Sequence, residues 1–148
     1  LRATMIKISK MADYGIVLLT TMARQPLDST FTARDLSGTT GLPLPMVSKV
    51  LKLLARGDLL ASHRGVKGGY SLSRPPKEIT AVHIISALEG PIALTSCLDE
   101  NSGICGIEHI CATRNYWETI NDRIVRSLSS VTLAEMTGTE RKQPAPAR

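Results

Sequence analysis

Apolar residues recur along this chain at helical spacing, interrupted once by a short stretch with the pattern of a hairpin. Residues 10–24 form the first amphipathic run, with Ser9 as its expected N-cap and Pro26 beyond its end. A short second helix is expected over residues 32–37, closed by Gly38 or Gly41. Pro43 and Pro45 suit the first turn of a third helix, Leu44–Arg56, because a missing N–H costs nothing there. On that helix Val47, Val50, Leu51 and Leu54 share one face, while Ser48, Lys49, Lys52 and Arg56 share the other. The apolar face predicts core. The polar, mostly basic face fits either plain solvation or contact with a polyanion.

Two β-capable runs, residues 59–64 and 70–73, flank the turn Gly65-Val66-Lys67-Gly68-Gly69, which is a hairpin signature. His63, Arg64 and Lys67 concentrate basic groups at its tip. A phosphate-cradling P-loop is excluded, since no Gly-Lys-Ser/Thr follows the glycines. Pro75 and Pro76 end the hairpin. Helix, short helix, basic helix and basic hairpin is the order of a winged helix-turn-helix. In that fold the third helix enters the major groove and the wing reaches the flanking backbone or minor groove. The expected fold class is therefore mainly α with a small β-hairpin wing. The expected partner is a double-stranded DNA operator, with Ser48, Lys49, Lys52, His63, Arg64 and Lys67 as the DNA-binding residues.

Beyond the hairpin, Thr80 caps a fourth helix over residues 81–88, with Val82, Ile85 and Leu88 directed at the first helices and His83 at the surface. Residues 92–111 look irregular. A long helix is expected over residues 112–131, with Trp117, Ile120, Ile124, Leu128 and Val131 along one face. So narrow a stripe either completes the monomer core or pairs with a second helix. A small winged domain leaves little core for it to cover, so a homodimer is expected, matching DNA half-sites related by twofold symmetry. Leu133–Met136 adds one more turn, and residues 138–148 read as a disordered tail. The organisation is thus a winged helix-turn-helix over 5–90, a cysteine loop over 91–111, a dimerisation helix and final turn over 112–137, and the tail.

Composition adds modestly to this picture. The 148 residues make about one domain, and an aromatic content of 3% favours aliphatic helix packing over an aromatic-rich β-sandwich. Lys and Arg number 18 against 13 Asp and Glu, a net charge of +5 that suits a polyanionic partner through counterion release. No apolar run approaches the roughly 20 residues of a membrane helix, and the amino terminus lacks a secretory pattern. A cytoplasmic location without a membrane partner is expected.

The three cysteines, Cys97, Cys105 and Cys111, fall together in the irregular segment. Soft thiolates gathered in one loop suit an iron–sulfur cluster, zinc or copper(I). No Cys-x-x-Cys pair of the zinc-finger kind is present. The plain alternative, three buried structural thiols, sits poorly with neighbours such as Asp99, Glu100, Asn101 and Gly103. Three thiolates leave a cluster one ligand short, and an incomplete ligand set makes it labile, as a sensor requires. Asp99, Glu108 and His109 lie nearby as candidates for the fourth ligand, and Asp13 is a carboxylate from elsewhere in the chain. A second reading of the loop is a structural zinc site or a bare-thiol redox switch. An enzyme with a nucleophilic cysteine is a third, pairing Cys105 with His109, but nothing supplies an orienting third group and no enzymatic activity is expected.

The segments Lys10-Met11-Ala12-Asp13-Tyr14, Gly41-Leu42-Pro43-Leu44-Pro45-Met46-Val47-Ser48-Lys49-Val50-Leu51-Lys52-Leu53-Leu54 and Arg64-Gly65-Val66-Lys67-Gly68-Gly69-Tyr70 resemble the bacterial Rrf-type winged-helix regulators. The resemblance runs over residues 5–136 and includes the family's IscR-like and NsrR-like branches. Gly41-Leu42-Pro43-Leu44-Pro45 and Glu89-Gly90-Pro91 are most similar to the branch that regulates SUF iron–sulfur assembly genes. The resemblance implies a homodimeric repressor that senses iron–sulfur, redox or nitric oxide status. It implies a [2Fe-2S] or [4Fe-4S] cluster on Cys97, Cys105 and Cys111, base-reading contacts from Ser48, Lys49 and Lys52, and a wing contact from Arg64. Two features depart from the IscR-like pattern: the first cysteine spacing is longer, and Arg114 stands where a histidine is expected three residues after the third cysteine. In the nitric-oxide-sensing branch an aspartate of the partner subunit's first helix completes the cluster site, and Asp13 stands at the matching position.

Overall fold

The computed structural model describes residues 6–99, 105–107 and 110–138. Helix α1 (Lys10–Ala23) begins at Ser9, whose hydroxyl accepts the Ala12 N–H, and its Leu18, Leu19 and Met22 are fully enclosed. Helix α2 (Ala33–Thr40) opens on a capping box, in which Thr32 and Asp35 satisfy each other's backbone N–H groups. It runs through Gly38, one of the two expected stops, and ends at Gly41. Helix α3 (Leu44–Arg56) has the predicted bounds, with Pro43 before its first residue and Pro45 at its second position. Its stripe of Val47, Val50, Leu51 and Leu54 has no exposed surface. Burying a side chain of this size contributes about 1.5–3 kcal/mol each, which makes α3 the spine of the core between α1, α2 and helix α4 (Ala81–Glu89).

The α3 exit divides two tasks between neighbouring residues. Asp58 takes the left-handed conformation (φ 58°), while the Leu59 N–H bonds the Leu54 carbonyl and the Asp58 N–H bonds the Ala55 carbonyl, closing the helix end. Gly57 is needed for space instead: a Cβ there would lie 2.5 Å from Ala87 Cβ, so its absence lets α3 and α4 approach closely. The chain then enters β1 (Leu60–His63), which pairs antiparallel with β2 (Gly69–Leu72). Phe31 and Tyr70 exchange two backbone hydrogen bonds of 2.8 and 2.7 Å, tying β2 to the segment before α2. The wing is thereby anchored along two edges.

A single 3-10 turn, Pro76–Glu78, leads to α4. Thr80 caps α4 as expected, but His83 does more than sit at the surface: its Nδ1 accepts the Thr80 N–H, completing a second capping box. Ala81, Ile84, Ile85 and Leu88 are the buried residues of α4, and Val82 is half-buried. The face turned to α1 and α3 is thus the stripe through Ala81, Ile84, Ile85 and Leu88, which includes Ile84 and leaves Val82 at its margin.

Helix α5 spans Arg114–Ser129, shorter at both ends than the expected 112–131. It stops because the next residues have other partners. The Val131 carbonyl accepts the Ala81 N–H, and Thr132 bridges Thr80 and caps α6 (Leu133–Met136) with Glu135. Val131 therefore lies outside the helix and off its stripe. The α6 turn folds back against α1 and the 3-10 turn, where Leu133 is fully buried.

Candidate nucleic-acid interface and cysteine loop

The basic groups expected on the reading surface come from α3 and the β1–β2 turn. Lys49, Lys52 and Arg56 are exposed on α3 and Ser48 is half-buried, opposite the enclosed stripe. No ion pair involves Lys49, Lys52, Arg64 or Lys67 among the described residues. Arg64 and Lys67 stand on the turn after β1, with Val66 fully solvent-exposed between them. The turn is closed by the Gly68 N–H on the Gly65 carbonyl, 2.9 Å. Gly69 has φ 146°, and a Cβ there would meet the Phe31 carbonyl oxygen at 2.5 Å, so only glycine lets β2 reach its second edge. His63 differs from its basic neighbours: its Nε2 lies 2.8 Å from Ser71 Oγ across the hairpin.

The cysteine loop is organised more loosely. Cys97, Cys105 and Cys111 are all free thiols of intermediate exposure. Thr95 Oγ1 lies 3.1 Å from the Cys97 sulfur, and Thr113 Oγ1 3.3 Å from that of Cys111. Hydrogen bonds from the Thr113 hydroxyl and then its N–H hold the Cys111 thiol below its usual pKa, helped by the N–H and charge of Arg114 and opposed by slight desolvation. Arg114 also pairs with Glu118 at 3.3 Å. Asp13 is exposed on the first turn of α1. The donor chemistry of three thiols fits an iron–sulfur cluster. Among the described residues, however, no three His, Cys, Asp or Glu side chains converge in one chain, so Asp13, Asp99 and the cysteines are not gathered into a set. Glu108 and His109 lie outside the described residues.

One functional residue of this region is missed by reading the sequence alone. Asn121 of α5 donates its amide to the Ile92 carbonyl at 3.1 Å and accepts the Leu94 N–H at 3.1 Å. Both ends of one side chain thus hold the strand of loop that leads to Cys97. Beside it, Ile6, Leu94, Trp117, Ile120 and Ile124 line an apolar groove of about 300 Å³. Asn121 falls within the apolar stripe of α5, four residues after Trp117 and three before Ile124, and is half-buried; a polar side chain among apolar neighbours was the signal that could have found it.

A three-helix head with α3 leading straight into an anchored hairpin defines a winged helix-turn-helix. The chain belongs to the Rrf2 family, described as an iron-dependent transcriptional regulator, whose model matches residues 8–139. It is 29% identical over 131 residues to the transcriptional regulator CymR of Bacillus subtilis, covering 88% of this chain and 89% of that protein. It is 27% identical over 131 residues to the regulator IscR of Pectobacterium atrosepticum, covering 88% and 79% respectively. Among solved structures, CymR, the global cysteine regulator of B. subtilis, matches with a TM-score of 0.68 at 27% identity, over 92% of this chain and 99% of the other. IscR of T. potens matches with a TM-score of 0.67 at 26% identity, over 96% and 94%. The protein is accordingly a DNA-binding transcriptional regulator, and no helix among the described residues is long and apolar enough to cross a membrane.

Proposed function

We propose that the protein is a cytoplasmic homodimeric repressor whose operator binding depends on an iron–sulfur cluster. In this reading each subunit offers α3 to one major groove through Ser48, Lys49 and Lys52, while Arg64, Lys67 and His63 of the wing engage the flanking backbone. The observation that carries it is the set of solvent-facing cations on α3 and the wing turn, none of them in an ion pair among the described residues. Cations left unpaired on a rigid support are available to phosphates without first breaking an internal contact.

Cys97, Cys105 and Cys111 would hold the cluster, with Asp13 of the partner subunit as the fourth ligand. Three free thiols on a polar loop, with no group of three His, Cys, Asp or Glu side chains converging within one chain among the described residues, support a site completed across a dimer. When bound, the cluster supplies an oxidant- and nitric-oxide-sensitive centre. The chain's own contribution is mechanical. Asn121 couples the loop to α5, and Thr80–Thr132 couples the end of α5 to α4 of the reading head. A change in how the three thiols are held is thus transmitted to the spacing of the two α3 helices. The iron–sulfur assembly genes are the proposed targets.

A cluster-free thiol switch or a structural zinc site at the cysteine loop is the second reading, favoured by the Thr113 hydroxyl against the Cys111 sulfur and the lowered pKa of that thiol. Anaerobic purification followed by native mass spectrometry separates the two. Iron and sulfide bound to a dimer are expected, together with loss of both in Cys105→Ser. A colourless protein that carries zinc or bare thiols and still binds its operator overturns the cluster reading.

A further inference from the structure

Side chains alternate along the wing strands, and the register opposes Ala61 to Ser71 and His63 to Gly69. His63 therefore faces a residue without a side chain. Its ring leans to the diagonal neighbour and meets Ser71 Oγ at 2.8 Å through Nε2. Ser71 is 8% exposed and is the buried polar residue of the described core. A buried hydroxyl has to deliver its proton to an acceptor, and the imidazole is the side-chain partner of Ser71 among the described residues.

We infer that the Ser71 hydroxyl donates to His63 Nε2, which makes Ser71 a positioning residue and His63 an Nδ1–H donor to a DNA phosphate oxygen. A neutral imidazole has one donor and one acceptor nitrogen. With the acceptor engaged by Ser71, the N–H is the group left for a ligand. His63 then supplies a directed, uncharged hydrogen bond beside the charge of Arg64. The inference rests on the proposed DNA-facing role of the wing, and it assigns the two neighbours different work: Arg64 releases a counterion on binding, and His63 does not.

Nitrogen-15 NMR of the histidine rings, recorded above their titration on the full-length protein, reads the tautomer without DNA. The Nδ1–H form is expected for His63 and its loss in Ser71→Ala; an Nε2–H form in the wild type overturns the inference. Affinity is then measured by anisotropy on a duplex that the wild-type protein has selected from a random-sequence pool. His63→Asn carries its N–H near the Nδ1 position and is expected to bind within about twofold of wild type. His63→Gln carries it near Nε2 and is expected to bind about fivefold more weakly, with the salt slope unchanged. Ser71→Ala should weaken binding similarly and Ser71→Thr restore it. Equal affinities for the Asn and Gln variants, or a salt slope that falls by about one in either, overturn the donor role. An Nδ1–H tautomer combined with wild-type affinity of Arg64→Ala at every salt concentration overturns the wing's DNA role and leaves the tautomer assignment intact.

Discussion

Helices α3 and α5 are both amphipathic, yet they complete their apolar faces differently. Every member of the α3 stripe is enclosed between α1, α2 and α4. None of the 16 residues of α5 is buried, and Trp117 and Ile120 remain 40% and 41% exposed. Among the described residues the α5 stripe leans on α4, on Leu94 of the loop that follows α4 and on Ile6 before α1. Amphipathicity creates a surface that gains from being covered; it does not say which chain covers it. On α3 the cover is intramolecular. On α5 the half-exposed apolar row is what the proposed dimer would close.

Truncation inside each stripe tests the contrast most strongly. Leu54→Ala removes a fully enclosed side chain and is expected to cost about 2–5 kcal/mol of stability in urea denaturation. Ile124→Ala, on the half-exposed face, should cost far less at protein concentrations too low for association. Comparable losses for the two variants would erase the distinction between core and contact surface.

Charge on the α5 stripe probes the same contrast from the other side. Ile124→Asp is expected to shift sedimentation equilibrium from dimer to monomer while helical circular dichroism is retained, because an unpaired carboxylate in an apolar contact opposes association more than it opposes a half-solvated fold. A dimer that persists at the same concentration would detach α5 from the assembly.

The two helices were also unequally legible. The bounds of α3 followed from local rules alone, with two prolines at its start and a clean division of faces. The α5 bounds depended on a distant partner: Ala81, fifty residues earlier in sequence, takes the Val131 carbonyl and ends the helical stripe. Ile84 within the α4 stripe and Val82 at its margin show the same effect on a smaller scale, since a helix's orientation on its neighbours is decided by tertiary packing. The cysteines were readable as soft ligands by type and clustering, but whether they converge was not, and within one chain they do not. His63 was readable as basic and near the tip; its engagement by Ser71 required the strand register.

For the reading surface, Arg64→Ala should lower operator affinity by about tenfold at moderate salt and reduce the slope of log affinity against log salt by about one. Ile120→Ala, on the exposed α5 face, should leave that slope unchanged, because it removes no cation. Filter binding at several salt concentrations reads both. An unchanged slope for Arg64→Ala removes that residue from the phosphate contacts.

The smallest expected effect concerns how the helices begin. Thr32 serves α2 as a cap, its N–H and hydroxyl reaching Asp35 Oδ2 at 3.0 and 2.6 Å. Thr113 before α5 makes no side-chain cap and lies against the Cys111 sulfur instead. The Thr32 hydroxyl, followed by its N–H, lowers the Asp35 pKa against a small opposing desolvation. A carboxyl that is more acidic when folded contributes its stability above its unfolded pKa of about 3.9 and loses it as pH falls through the lower, folded value. Asp35→Asn should therefore lose that modest charge-dependent contribution near neutrality, keeping only the amide oxygen as acceptor, and flatten the acid limb of the urea midpoint against pH. Thr113→Ala should leave the acid limb as it is. If Asp35→Asn and wild type lose stability in parallel below the ordinary aspartate range, the cap of α2 is not what acid removes.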